Sequence, residues 1–140
     1  TSSIIDCLQY VIGNSPGVIW VSNRTKKNAD QLKKIFPKIK LLEWGEKPPV
    51  FCDIIINTTS VGLKTNDNLN IDLKTDKRTL FYDLIYNPKE TNFLKNARLN
   101  GNKTMNGQMM FLHQAKIAFN TWTGISPEID EEVIKILDND

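Results

Sequence analysis

Three consecutive isoleucines, Ile54-Ile55-Ile56, framed by Asp53 and Asn57, constrain the fold more than any other feature of the chain. A short apolar run that does not alternate with polar residues has no face to offer to water. It predicts a strand buried on both sides, as in a parallel sheet sandwiched between helices. The rest of the chain supplies the other elements of such a sheet. Gly17 to Val21 is a short run of β-branched and aromatic residues, and it ends in the polar cluster Ser22-Asn23-Arg24-Thr25. That pattern reads as a strand followed by a loop. Lys26 to Phe36 then places Ala29, Leu32 and Phe36 on one face and lysines on the other before Pro37 stops it, which is an amphipathic helix.

Ile39 to Glu43 reads as a second strand, Asp53 to Asn57 as a third after the Pro48-Pro49 break, and Thr79 to Leu84 as a fourth. A helix opens near Thr91 with its end marked by Gly101, and Lys103 to Met105 forms a short fifth strand. A long helix covers about Gln108 to Trp122. Ser126-Pro127 starts a last helix with Ile129, Val133, Ile136 and Leu137 on one stripe. The chain itself opens inside a helix whose apolar stripe is Ile4, Ile5, Leu8, Val11 and Ile12. Strands alternating with helices define a doubly wound α/β domain. The interval Lys64 to Lys77, polar and rich in Asn and Asp, is expected to be a mobile surface segment.

The 140 residues are enough for one buried core, and 40% hydrophobic with 24% charged residues is ordinary globular composition. A net charge of +2 is too small for the broad basic surface that grips a nucleic-acid backbone, so nucleic acid is not an expected partner. No apolar run approaches the roughly 18 to 20 residues of a membrane span, and no signal-peptide flanks are read at the start. The expected location is the cytoplasm. Cys7 and Cys52 form no Cys-x-x-Cys pair and are read as small core residues, and a lone His113 builds no metal site. No metal is expected.

In open parallel sheets, ligands bind beyond the carboxyl ends of the strands. Asn23-Arg24-Thr25 occupies one such end, where an NAD-binding domain commonly carries a carboxylate for the ribose hydroxyls. A guanidinium there can instead hold a 2′-phosphate through paired charge-assisted hydrogen bonds, with Thr25 adding a hydroxyl and Lys26 or Lys27 adding charge. The pattern favours NADP(H) over NAD. An exposed turn capping the next helix would look the same. Asn57-Thr58-Thr59-Ser60-Val61-Gly62 is a second set, whose small polar groups suit a ribose or pyrophosphate, or simply a polar turn. Asp83 to Pro88 and Asn106 to Gln114 are the third and fourth.

Taken in order, these sets and the later Trp122-Thr123-Gly124 resemble the C-terminal domain of shikimate dehydrogenases over nearly the whole chain. The most specific part is Gly107, two residues, Met110, three residues, Gln114, then Trp-x-Gly. The resemblance implies a Rossmann-like domain over 1–140 in an oxidoreductase that reduces 3-dehydroshikimate to shikimate with NADPH on the route to aromatic amino acids. It implies that Asn23, Arg24, Thr25 and Lys27 meet the 2′-phosphate end of the cofactor, with Thr59 and Ser60 near the adenosine. Leu84 and Gly107 would flank the nicotinamide through their backbones, and Tyr86 and Gln114 would reach the substrate. The hydroxyl and amide can bind a polyhydroxylated acid without bringing another charge to the hydride path. His113 points elsewhere around the helix and is expected at the surface or between domains.

The chain departs from the family at two places. The position three beyond Thr25, often basic, is Asn28. The family's first strand and Gly-rich loop, whose amides bind the pyrophosphate, are not found before Thr1, and that strand usually lies at the centre of the sheet. The expectation is therefore a fragment whose two central strands lack a neighbour and which does not turn over alone. The Lys and Asp that assist proton transfer in the family lie in an N-terminal domain, so no catalytic residue is assigned in this chain. That domain and shikimate or 3-dehydroshikimate are the expected partners, and a homodimer is compatible with the sequence. The alternatives are a quinate/shikimate dehydrogenase that also accepts NAD, a non-catalytic nucleotide-binding module, and the nucleotide domain of a glutamyl-tRNA reductase. The last does not explain Gly107 to Gln114.

Overall fold

The computed structural model describes residues 4–5, 17–64 and 66–138. The helix expected over the first residues lies largely outside them, as does Cys7. Its Ile5 is buried in one of two apolar clusters, against Val21, Phe36 and Ile39.

Five strands and four helices are described: β1 (Trp20–Ser22), α1 (Lys26–Ile35), β2 (Lys40–Leu42), β3 (Ile54–Asn57), β4 (Leu80–Asp83), α2 (Asn92–Leu99), β5 (Lys103–Met105), α3 (Gln108–Thr123) and α4 (Glu131–Asp138). Every strand pairing is parallel, as expected for a doubly wound α/β domain. The strands form two sheets, β1-β2 and β3-β4-β5, so among the described residues β1 and β3 each have a strand partner on one side only. The break falls between the strands that the sequence reading left without a common neighbour.

Each sheet carries its own core. In the first, Ile19, Leu32 and Leu41 surround the cluster of Ile5, Val21, Phe36 and Ile39, and α1 turns Ala29 inward. Lys33 reaches past the end of α1 to donate to the carbonyls of Pro37 and Ile39, which satisfies acceptors near the negative end of the helix dipole. In the second sheet, α2 lays Phe93, Leu94 and Ala97 over Phe81, with the Phe81 and Phe93 rings tilted at a centroid distance of 5.4 Å. Burial of this kind contributes about 1.5–3 kcal/mol for each large side chain.

Three expectations need correction. The isoleucines are not buried on both sides: Ile54 is 38% exposed and Ile55 and Ile56 are half-buried. The last helix begins at Glu131 and not at Ser126-Pro127, because the Asp130 carboxylate accepts from the Val133 amide at 2.9 Å and caps the helix there. The segment expected to be mobile is tethered along its length. Leu69 and Leu73 pack on the Phe81 cluster, Asp72 pairs with Lys47, and the carbonyls of Asp67 and Asp76 accept from Asn92 and Asn102.

Candidate functional site at the carboxyl ends of the strands

Parallel strands place all their carboxyl ends on one edge, and the third and fourth strands do so in exact register, with Asn57 opposite Asp83. Both residues are buried, at 3% and 0% exposure. Asn57 donates from Nδ2 to Asp83 Oδ1 at 3.1 Å and to the Val61 carbonyl at 3.0 Å. Its Oδ1 accepts from the Thr59 amide and hydroxyl at 3.0 and 2.8 Å, and the Thr59 oxygen accepts from the Val61 amide at 3.1 Å. These bonds wind the loop after β3 into a compact turn that leaves Thr59 half-buried and Ser60 exposed. Gly62 closes it at φ +119°, a backbone conformation open to glycine. A methyl group there would also come within 3.1 Å of Thr91 Cγ2.

The loop after β4 and the start of α3 meet backbone to backbone. The Gly107 amide donates to the Ile85 carbonyl at 3.2 Å, and a Cβ on Gly107 would stand 2.1 Å from the Leu84 oxygen. Two residues chosen from sequence, Leu84 and Gly107, are therefore direct neighbours, and only glycine permits the approach. One turn into α3, Phe111 stacks on the Tyr86 ring with centroids 4.5 Å apart. Gln114 follows three residues later and is exposed, as is His113. The spacing 107, 111, 114 keeps these positions on one face of α3. Gly124 ends the helix in the left-handed conformation, donating to the Asn120 carbonyl at 2.8 Å, which accounts for the glycine of Trp-x-Gly.

Asn23, Arg24 and Thr25 lie at the carboxyl end of β1, in the other sheet. Asn23 Oδ1 accepts from the Thr25 amide at 2.9 Å and sets the turn. Thr25 is the N-cap residue of α1 but its side chain makes no capping bond, so the simple capping alternative fails for its hydroxyl. Arg24 and Lys27 are exposed and make no ion pair with a described residue, while Lys26 pairs with Asp30 at 3.5 Å. Uncapped helix amides beside an exposed guanidinium and ammonium make an anion-accepting corner.

Sequence reasoning missed one residue of the site. Thr91, 2% exposed, donates its hydroxyl to Asp83 Oδ2 at 2.6 Å, and the Ile85 amide donates to Asp83 Oδ1 at 3.0 Å. No local pattern announces this contact. Among the described residues no group of three or more His, Cys, Asp or Glu could hold a metal ion, and no helix is long and apolar enough to cross a membrane. Cys52 is half-buried with Sγ 3.9 Å from Thr79 Oγ1, and desolvation pushes its thiol pKa up, away from reactivity.

Parallel strands flanked by helices, with glycines and small polar side chains at the strand ends, define a Rossmann-like α/β domain. No protein-family model matches the chain. The shikimate dehydrogenase (NADP(+)) of Pelagibacter ubique is 53% identical over 121 residues, covering 86% of this chain and 45% of that protein. Among solved structures, the shikimate dehydrogenase of Aquifex aeolicus superposes with a TM-score of 0.70 at 33% identity, over 85% of this chain and 44% of that one. The 5-ketofructose reductase of Gluconobacter sp. strain CHM43 superposes with a TM-score of 0.72 at 29% identity, over 86% and 47%. The chain is similar to shikimate dehydrogenases over most of its length, and it spans about half the length of the curated relatives it matches.

Proposed function

We propose that the chain is the C-terminal, NADP-binding part of a shikimate dehydrogenase, an enzyme that interconverts 3-dehydroshikimate and shikimate. The observation that carries this reading is the backbone contact of Leu84 with Gly107 beside the Tyr86–Phe111 stack. It brings residues from two separate sequence motifs to one strand edge, in a chain 53% identical to an NADP-linked relative. When bound, the cofactor supplies the hydride. The residues of this chain hold and orient: Arg24 and Lys27, with Asn23 and Thr25 shaping the turn, take the 2′-phosphate. Thr59 and Ser60 line the adenosine side, and the Leu84 and Gly107 backbones leave room for a flat ring. Tyr86 and Gln114 hydrogen-bond the hydroxylated substrate. Proton transfer to the carbonyl belongs to the N-terminal half of the protein.

The test is Arg24→Ala in the full-length protein. Losing a charged, hydrogen-bonded phosphate contact should weaken NADPH by roughly 1 to 3 kcal/mol and leave NADH nearly unchanged. Equal losses for both cofactors would remove the assigned role. A second reading, acceptance of NAD as well, draws on Asn28, which leaves the phosphate corner one cation short, and on the pairing of Lys26 with Asp30. A ratio of kcat/KM for the two cofactors near unity would favour it.

A further inference from the structure

We propose that Thr91, acting through the Asp83 carboxylate, is a positioning residue that fixes the loop after β4 against the loop after β3. The inference rests on the functional reading above and adds to it a residue that touches neither cofactor nor substrate.

The argument begins with a proton. A threonine hydroxyl has one hydrogen to give and can accept two bonds. Thr91 is the N-cap of α2, and its oxygen accepts from the Leu94 amide at 3.4 Å. Its own hydrogen is therefore spent on Asp83 Oδ2, 2.6 Å away. The other carboxylate oxygen takes the Asn57 side chain from β3 and the Ile85 amide from the β4 loop. Asp83 thus gathers donors from the end of β3, the loop after β4 and the start of α2, and at 0% exposure no solvent-facing alternative competes with them. Burying a carboxylate without a cation is costly, and replacing such a group by an apolar one is often neutral or better for stability. Directional bonds to three segments give what an apolar residue cannot, a fixed spacing between them.

That spacing bears on the site because the residues immediately after Asp83 form its walls. Leu84 lies against Gly107, and Tyr86 stacks on Phe111. On the opposite wall, Gly62 rests on the Thr91 side chain, and Asn57 holds Thr59 in its turn. A loosened Thr91–Asp83 bond lets the first wall drift while the Asn57 turn keeps its own bonds. Misplacement of a reacting group by about 1 Å can cost roughly a hundredfold in rate.

The experiment uses the full-length protein and compares Thr91→Val with Thr91→Ser and Thr79→Val. Thr91→Val keeps the shape that Gly62 rests on and deletes only the hydroxyl. Thr79→Val deletes an equally buried hydroxyl at the opposite end of the sheet, where it donates to the Cys52 carbonyl at 2.7 Å. For Thr91→Val, kcat is expected to fall roughly ten- to a hundredfold, with Kd for adenosine 2′,5′-bisphosphate, which fills only the adenosine side, held within about twofold. Thr91→Ser should restore kcat to at least about half of wild type, and Thr79→Val should lower Tm while leaving kcat alone. Thr91→Val with lowered Tm and unchanged kcat overturns the inference. If Thr91→Val does not fold, Thr91→Ala, which also lacks the hydroxyl, is read the same way, and an unchanged kcat again overturns the inference. A wild-type protein that fails to oxidise shikimate with NADP+ refutes the functional reading itself, and the inference falls with it.

Discussion

Gly107→Ala adds one methyl group where the structure has no room for it. The new Cβ would lie 2.1 Å from the Leu84 oxygen and 2.6 Å from its carbonyl carbon, against an ordinary C···O contact of about 3.3 Å. Both obstructing atoms are backbone at the end of β4, so no rotamer change relieves the clash, and α3 must retreat by more than about 1 Å. Overpacking of this kind costs about 1–3 kcal/mol, and the retreat also breaks the hydrogen bond from the Gly107 amide to the Ile85 carbonyl, about 1 kcal/mol more. Replacing glycine stiffens the unfolded chain and returns about 0.4–1 kcal/mol. Because Gly107 has φ −79°, no left-handed strain enters the sum. The expected net loss is about 1–3 kcal/mol.

Gly17→Ala is the matched control, since nothing lies within 4 Å of its added methyl. Its expected change is within about 0.5 kcal/mol. Urea unfolding of the full-length protein, followed by tryptophan fluorescence, measures both as shifts in midpoint at constant slope. A Gly107→Ala protein as stable as Gly17→Ala would show that the two backbones do not meet as described, and the placement of Leu84 beside Gly107 would have to be abandoned.

The charged surface offers two further tests. Glu90 and Arg98 form a two-pronged pair, Nε to Oε1 at 2.7 Å and Nη2 to Oε2 at 3.2 Å, and the guanidinium holds the Glu90 carboxyl below its ordinary range. A carboxylate whose folded pKa is depressed contributes stability above its unfolded pKa and loses it as pH falls through the folded value; here the pair is exposed and the contribution is small. In Arg98→Gln the NMR titration midpoint of Glu90 should move up, and an unmoved midpoint would mean the pair does not persist in solution. The strip from Arg24 to Lys40 also carries Lys27, Lys34 and Lys38, all exposed, in a chain of net charge only +2. If the phosphate end of the cofactor docks there, Lys34→Glu with Lys38→Glu should slow NADPH association several-fold at low salt and leave its dissociation rate unchanged. A change confined to dissociation would contradict docking by long-range attraction.

Local patterns exposed the elements well, because each depends on residues near one another in sequence. Lys103–Met105 was legible as a strand to the residue, and α2 was legible as a helix opening near Thr91 with Gly101 marking its end. What failed depends on distant neighbours. Three isoleucines say that a strand is apolar but not whether anything covers it, and Ile54 proved exposed. The polar interval after Lys64 reads as mobile until Leu69 and Leu73 are seen resting on Phe81. At the start of α4, two competing caps lay four residues apart, and the Asp130 carboxylate outweighs the Ser126-Pro127 signal. In the candidate site, the family resemblance set Leu84 and Gly107 on either side of a nicotinamide, and their direct backbone contact came only with the structure. The Thr91 hydroxyl was not, because a donor eight residues from its acceptor has no periodic signature.

The buried polar residues of the second sheet explain why its two ends differ in use. At the amino end, Thr79 donates to Cys52, and Asn102 donates to the carbonyls of Asp76 and Thr79 at 2.8 and 3.3 Å, so neutral side chains suffice to tie the strands together. At the carboxyl end the same task falls to a carboxylate. If holding register were the whole requirement, an uncharged pair would do it there too, at a smaller desolvation cost. A carboxylate accepts from more directions than a hydroxyl or an amide oxygen, and Asp83 uses that capacity on three segments that bear the candidate site. Under the proposed function, the buried carboxylate sits at the end of the sheet that faces cofactor and substrate and is missing at the other end. Deleting one buried hydroxyl at each end therefore separates the two purposes: both deletions should cost stability, and only the one at Thr91 should cost rate.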